Sequence, residues 1–223
     1  MPAKTIDLAS HALTAWLGPL DLPDFTRIGD GDFGPVFDAA LEAHQAEIDA
    51  IAGNSAEPTV DNTLAALELS GQALDRVSSI FWCKAGANTN DTIQALEREI
   101  SPKMSRHFSA ISMNEKLFAR IDALYRKRAS LSFDAETLRV LEKTWKGFVR
   151  SGAKLDAGGK KRLATINELL SSLGTSFGQN VLADERDWAL FLDQADLAGL
   201  PDFAKSAMAE AAETRGQKGR YAV

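Results

Sequence analysis

Apolar residues recur every three or four positions through most of this chain, the spacing of amphipathic helices rather than of strands. The longest such pattern lies between Phe148 and Glu185, where Leu163, Ile166, Leu170, Leu173, Phe177 and Val181 share one helical face. Asp156 stands just before it, placed to cap the free N–H groups of a first turn. The pattern predicts a long helix with a core-facing stripe, a spine for its neighbours.

Shorter stripes precede it. Phe37, Leu41, His44, Ile48 and Ile51 mark a helix over about 32–52, with Pro35 tolerable in its opening turn and Gly53 at its end. Thr59 opens the next, with Asn62 where a capping-box residue belongs, and its stripe is Leu64, Leu67, Leu74, Val77 and Phe81. Gly71 falls on that same face, which predicts close approach by a neighbour. A third helix carries Ile93, Leu96, Ile100, Phe108 and Ile111, and Pro102 inside it predicts a kink or break near Ser101. Asn114 caps a fourth, which ends in Arg126, Lys127 and Arg128. Asp134 caps a fifth through Leu138, Leu141, Trp145 and Phe148.

The two ends differ from this middle. Residues 5–29 mix Gly18, Pro19, Pro23 and Gly29 with Trp16, Leu17, Leu20, Leu22, Phe25 and Ile28. Proline interrupts helices, so the expectation is an extended arm that buries its apolar groups on the body. Beyond Glu185, the runs 188–192 and 219–223 have strand length, and Pro201 opens a helix between them through Phe203, Ala207 and Ala211. Two strands alone make no stable sheet, and the chain stops inside the second run, as a cut end would. The organisation read from the sequence is therefore an arm at 1–29, a helical domain at 30–185, and a middle α+β region beginning at 186–223.

Composition changes this picture little. A hydrophobic share of 45% and a charged share of 25% are those of a globular protein. The net charge of −6 speaks against a nucleic-acid partner, which needs a basic surplus. Cys83 is the single cysteine, so no intrachain disulfide forms. The first residues show no signal-peptide pattern, and no window approaches the ~20 apolar residues of a membrane span.

Candidate chemistry is sparse. His11, His44 and His107 lie far apart in sequence, and none belongs to an H-E-x-x-H motif, which sets two imidazoles and a carboxylate on one helix face. His44 and Glu47 share a face and offer two metal ligands, but His44 lies on an apolar stripe, and a structural histidine is the better reading. Cys83 reads as a buried, inert thiol. Gly158-Gly159-Lys160-Lys161 lacks the first glycine and the Ser or Thr of a phosphate loop and reads as a helix start, as does Asn90-Asp91-Thr92. Between Lys143 and Arg162, seven basic residues (Lys143, Lys146, Arg150, Lys154, Lys160, Lys161 and Arg162) face one acid, Asp156. This surplus suits an anionic partner or the carboxyl end of a peptide, although a solvated helix face explains it more simply.

The segments F-V-R-S-G-A-K-L-D (148–156) and I-N-E-L-L-S-S-L-G-T-S-F-G-Q-N-V-L (166–182) resemble the zinc metallopeptidases of the oligopeptidase A, peptidyl-dipeptidase and thimet oligopeptidase family. W-L-G-P-L-D-L-P-D-F (16–25), P-T-V-D-N-T-L-A-A-L-E (58–68) and D-L-A-G-L-P (196–201) agree in the family's order. The resemblance implies a mainly α fold: the multi-helix N-terminal lobe of a two-lobed oligopeptidase, with short strands near its C-terminal end. It implies a cytoplasmic parent that cuts short peptides with zinc, in which this lobe forms one wall of a narrow channel. The zinc-binding H-E-x-x-H helix has no counterpart here, so no catalytic, cofactor-binding or metal residue is assigned and the segment alone is expected to be non-catalytic. Its expected partners are short peptides, the missing catalytic lobe and, through the surface that lobe would cover, further copies of itself. The alternative is a free-standing helical module that binds peptides or a protein without cleaving them.

Overall fold

Phe33, Phe37 and Phe81 meet edge to face, with ring centroids 5.3 and 5.4 Å apart about Phe81, and the first half of the chain packs around them. The computed structural model describes residues 6–223 of a mainly helical chain. The start of the expected arm, residues 1–5, lies outside the described residues. Two compact units divide the chain at Thr175 and Ser176.

In the first unit, α1 (Ala12–Ala15) is followed by three short 3₁₀ turns and then by α2 (Phe33–Gly53). The segment before α2 is coiled rather than extended. Leu13 is fully buried, and Ile6, Leu8, Trp16 and Ile28 pack on the core, while Leu17, Leu20, Leu22 and Phe25 stay exposed. Only part of its apolar surface is covered, and the chain turns with positive φ at Trp16, Leu20 and Asp21.

A π-helical turn, Val60–Ala65, leads into α3 (Ala66–Glu68). Thr59 and Asn62 close a reciprocal capping box, at 3.1 and 2.9 Å, so Asn62 does the work of the usual Glu or Gln. The chain then breaks at Gly71 (φ +76°) before α4 (Gln72–Ala87), where an uninterrupted helix was expected. Gly71 is a junction between helices rather than a helical residue. Next come α5 (Asp91–Ser112), α6 (Glu115–Lys127), α7 (Ala135–Arg150) and α8 (Ala157–Asp187), whose N-terminal turns are held by Asn90, Asn114, Asp134 and Asp156. α5 runs through Pro102 as one helix, so of the expected kink or break the break does not occur. Proline removes one helical donor, and burial of Ile93, Ile100 and Ile111 along one face holds the helix on both sides of it.

Two hydrophobic clusters result, each built of side chains worth ~1.5–3 kcal/mol apiece when fully buried. One joins the first half of α2 to α1, α4 and α5; the other joins Ile48 and Ile51 of α2 to Leu64, Ile111, α6 and Leu141 of α7. α2 and α5 run through both.

α8 departs most from expectation: none of its residues is buried. Leu170, Leu173 and Phe177 are 61, 56 and 71% exposed, so the stripe faces solvent rather than a core. Its periodicity marks a face made for burial without saying against what. Cys83, expected to be buried, is exposed on α4.

In the second unit, β1 (Phe191–Leu192) and β2 (Tyr221–Ala222) pair antiparallel, and Leu190 and Val223 extend the ladder with two backbone bonds of 2.9 and 3.0 Å. α9 (Asp202–Thr214) follows Pro201 and packs on β2, burying Ala212 and Ala222. The two strands therefore do form a small sheet, supported by the helix behind it.

Candidate functional site

His44 lies on α2 between Ala40, in one cluster, and Ile48, in the other; His107 occupies the matching interval on α5, between Ile100 and Ile111. The sequence separates the two by 63 positions, and the fold brings His107 Nε2 to 2.9 Å from His44 Nδ1. His44 Nε2 is in turn 3.2 Å from Ser70 Oγ. The Ser70 hydroxyl gives its only hydrogen to the Leu67 carbonyl at 2.7 Å, so its oxygen must accept. That fixes the direction of the chain: His107 Nε2–H donates to His44 Nδ1, and His44 Nε2–H donates to Ser70. His44, with one nitrogen accepting and the other donating, is then neutral.

Burial depresses both imidazoles below the ordinary value of 6.5. For His44 the nearby Glu47 carboxylate partly offsets this; for His107 a charge on His44 adds to it. Glu47 itself accepts the Gly71 N–H at 2.6 Å. His44 and Glu47, one helical turn apart, thus grip the Ser70–Gly71 junction with ring and carboxylate.

These groups do not fit a zinc ion. His44 spends both nitrogens on neighbours, Glu47 is held by a backbone amide, and among the described residues no three His, Cys, Asp or Glu converge on one point. His11 is elsewhere, its Nδ1 capping α1 by accepting the Leu13 N–H. The pairing of His44 and Glu47 was legible in the sequence as a shared helix face; His107 was not, because its partner comes from another helix.

Two cavities share Phe108 in their linings. One, about 390 Å³, is lined by His44, Ser70, Ser78, Met104, Glu68 and Asp75 among others. The other, about 530 Å³, is lined by Ser105, Ser109, Phe148, Arg150, Ser151 and Asn167 among others. Within the basic segment, Lys160 pairs with Glu115 at 2.9 Å and Lys154 lies over the Trp145 ring at 4.6 Å, while Lys143, Lys146, Arg150, Lys161 and Arg162 face solvent. Gly158 and Gly159 begin α8, where the Gly159 N–H donates to Asp156 at 2.7 Å; Asn90 caps α5, as expected of a helix start.

No protein-family model matches the chain. It is similar to the dipeptidyl carboxypeptidase of Escherichia coli strain K12, 36% identical over 206 residues, which is 92% of this chain and 30% of that enzyme. The dipeptidyl carboxypeptidase of Salmonella typhimurium is 38% identical over 91% of the chain, and oligopeptidase A from the same organism is 25% identical over 91%. The chain is thus a homologue of the oligopeptidase A and dipeptidyl carboxypeptidase family of peptidases, and it spans about 30% of the length of these relatives. Among the described residues no helix is long and apolar enough to cross a membrane.

Proposed function

We propose that this chain is the N-terminal, substrate-restricting lobe of a cytoplasmic zinc oligopeptidase of the peptidyl-dipeptidase type, and that it is not catalytic by itself. The observation that carries this reading is the similarity over 92% of the chain to a dipeptidyl carboxypeptidase of which it spans only 30%. Peptide hydrolysis and its zinc belong, in this reading, to the remaining length of such an enzyme. The outward stripe of α8 supports the division, since a face patterned for burial yet left in solvent suits a covering surface supplied from outside these residues. Residues 1–29 serve as an arm on the helical domain, and residues 186–223 begin the next region.

Mixing this chain with the complementary two-thirds of the Escherichia coli enzyme tests the proposal, with that enzyme split at the same place as the positive control. Zinc-dependent peptide cleavage should arise on mixing and be absent from either piece alone. Turnover by this chain alone with zinc, or no activity from a mixture whose control works, would overturn it.

A second reading, a free-standing module that binds peptides or a protein without cutting, draws on the same exposed face of α8. Self-association through that face is expected under either reading.

A further inference from the structure

We propose that Phe108 on α5 is the centre of a peptide-binding track, along which a short peptide lies with its ammonium end in the cavity beside His44 and its carboxylate end in the cavity beside Arg150. The proposal rests on the reading of this chain as a peptidase lobe and names the part of it that touches substrate.

Phe108 is the residue the two cavities share, and it is 49% exposed. The histidine pair fixes it from beneath, with centroids 6.4 Å from His44 and 5.5 Å from His107, both edge-on. A rigid, half-exposed aromatic shared by two recesses is a common anchor for an apolar side chain. The recesses, about 390 and 530 Å³, fall in the range of small-ligand sites.

Their charges are opposite. Glu68 and Asp75 line the cavity beside His44, and among the described residues no lysine or arginine does. Ser78 also lines it, with a buried Oγ that finds no partner among the described residues. Arg150 lines the other cavity, which among the described residues has no aspartate or glutamate in its lining, and the hydroxyls of Ser105 and Ser151 add donors there. Arg106 and Glu168 neutralise each other at 2.5 Å and leave the sign of that end to Arg150. A ligand of one sign would satisfy one end and be repelled at the other. A peptide with free termini matches both, and the order of the charges gives it a direction.

The test uses the chain as it stands, labelled for NMR, and a series of alanyl peptides three to five residues long with one phenylalanine and free ends. The same peptides are prepared N-acetylated and C-amidated. At least one free peptide should shift resonances around Phe108. Acetylation should weaken binding about fivefold, with that loss absent in Glu68→Gln/Asp75→Asn; amidation should weaken it about fivefold, with that loss absent in Arg150→Gln. Phe108→Ala should weaken all forms, and Phe108→Leu, which keeps apolar bulk, guards against a folding defect. Equal binding of free and capped peptides, or no shifts at Phe108 with any of the series, would overturn the proposal. Reconstituted peptidase activity without this end-group dependence would sink the track and leave the lobe reading intact, whereas end-dependent binding without reconstitution would do the reverse.

Discussion

His107 donates through Nε2 to Nδ1 of His44 across 2.9 Å, in the polar gap between two hydrophobic clusters. Both rings titrate below their ordinary value of 6.5, chiefly through burial, with Glu47 on α2 the nearest counter-charge and Glu68 and Asp75 on the same cavity. The unfolded chain therefore binds more protons than the folded one as pH falls through 6.5, and stability declines with it. Above that value the pair's contribution is constant. Urea denaturation at pH 7.5 and 5.5 should show a clear loss at the lower value. His107→Gln keeps a donor for His44 Nδ1 and removes one titration, so it should roughly halve the loss while costing about 1 kcal/mol at pH 7.5. Carboxylates such as Asp30, held below its ordinary 3.8 by Lys84 and Asn90, act at much lower pH and do not confuse the comparison.

Gly71 illustrates two constraints at once. Its φ of +76° is strained for any other residue, and an added Cβ would lie 2.9–3.0 Å from three atoms of the His44 ring. Gly216 has a similar φ of +75° with nothing within 4 Å. Gly216→Ala should cost about 1 kcal/mol, the conformational part alone, and Gly71→Ala about 2–4 kcal/mol, because the histidine pair must move. Equal shifts in the denaturation midpoints of the two variants would contradict this account of Gly71.

Arg120 is buried, and among the described residues no carboxylate pairs with it. Its Nη1 donates to the carbonyls of Asn54 and Ala56 at 2.6 and 3.0 Å, and its Nη2 to Asn62 Oδ1 and Thr63 Oγ1 at 2.7 and 3.2 Å. One guanidinium thus joins the loop after α2 to the π-helical turn. Arg120→Ala takes the donor from the Asn54 and Ala56 carbonyls, while Asn62 Oδ1 keeps the Thr59 N–H, and should cost about 3 kcal/mol. Arg120→Lys, with a point charge in place of a planar fork, should recover less than half of it. Thermal melts of the three proteins decide the matter.

Much of the fold was legible because local rules determine it. Asn90, Asn114, Asp134 and Asp156 announce helix starts through chemistry confined to one turn, and most of the α2 stripe is buried as read, while of the α7 stripe only Leu141 is. The failures are non-local. Whether Pro102 breaks a helix depends on what holds α5 from outside, and whether Cys83 is covered depends on a neighbour. His107 reaches His44 through tertiary packing, which no spacing along the chain encodes. The candidate site was half visible for the same reason: His44 and Glu47 share a helix, while His107 and Ser70 join His44 only in three dimensions.

The contrast between Leu141 and Leu173 tests the assignment of α8 directly, since both occupy apolar stripe positions on neighbouring helices. Leu141 is fully buried among α6 and α7, and Leu173 is 56% exposed. Leu141→Ala should cost about 2–5 kcal/mol, through lost transfer energy and the cavity left behind. Leu173→Gln should leave stability within about 0.5 kcal/mol, because little apolar surface is lost from water's reach. If the α8 stripe awaits a covering surface, Leu173→Gln combined with Phe177→Gln should reduce self-association in sedimentation velocity and weaken reconstitution with the complementary piece of a relative. Strong destabilisation by Leu173→Gln would mean that α8 is covered within this chain, and the outward face would no longer support the lobe reading.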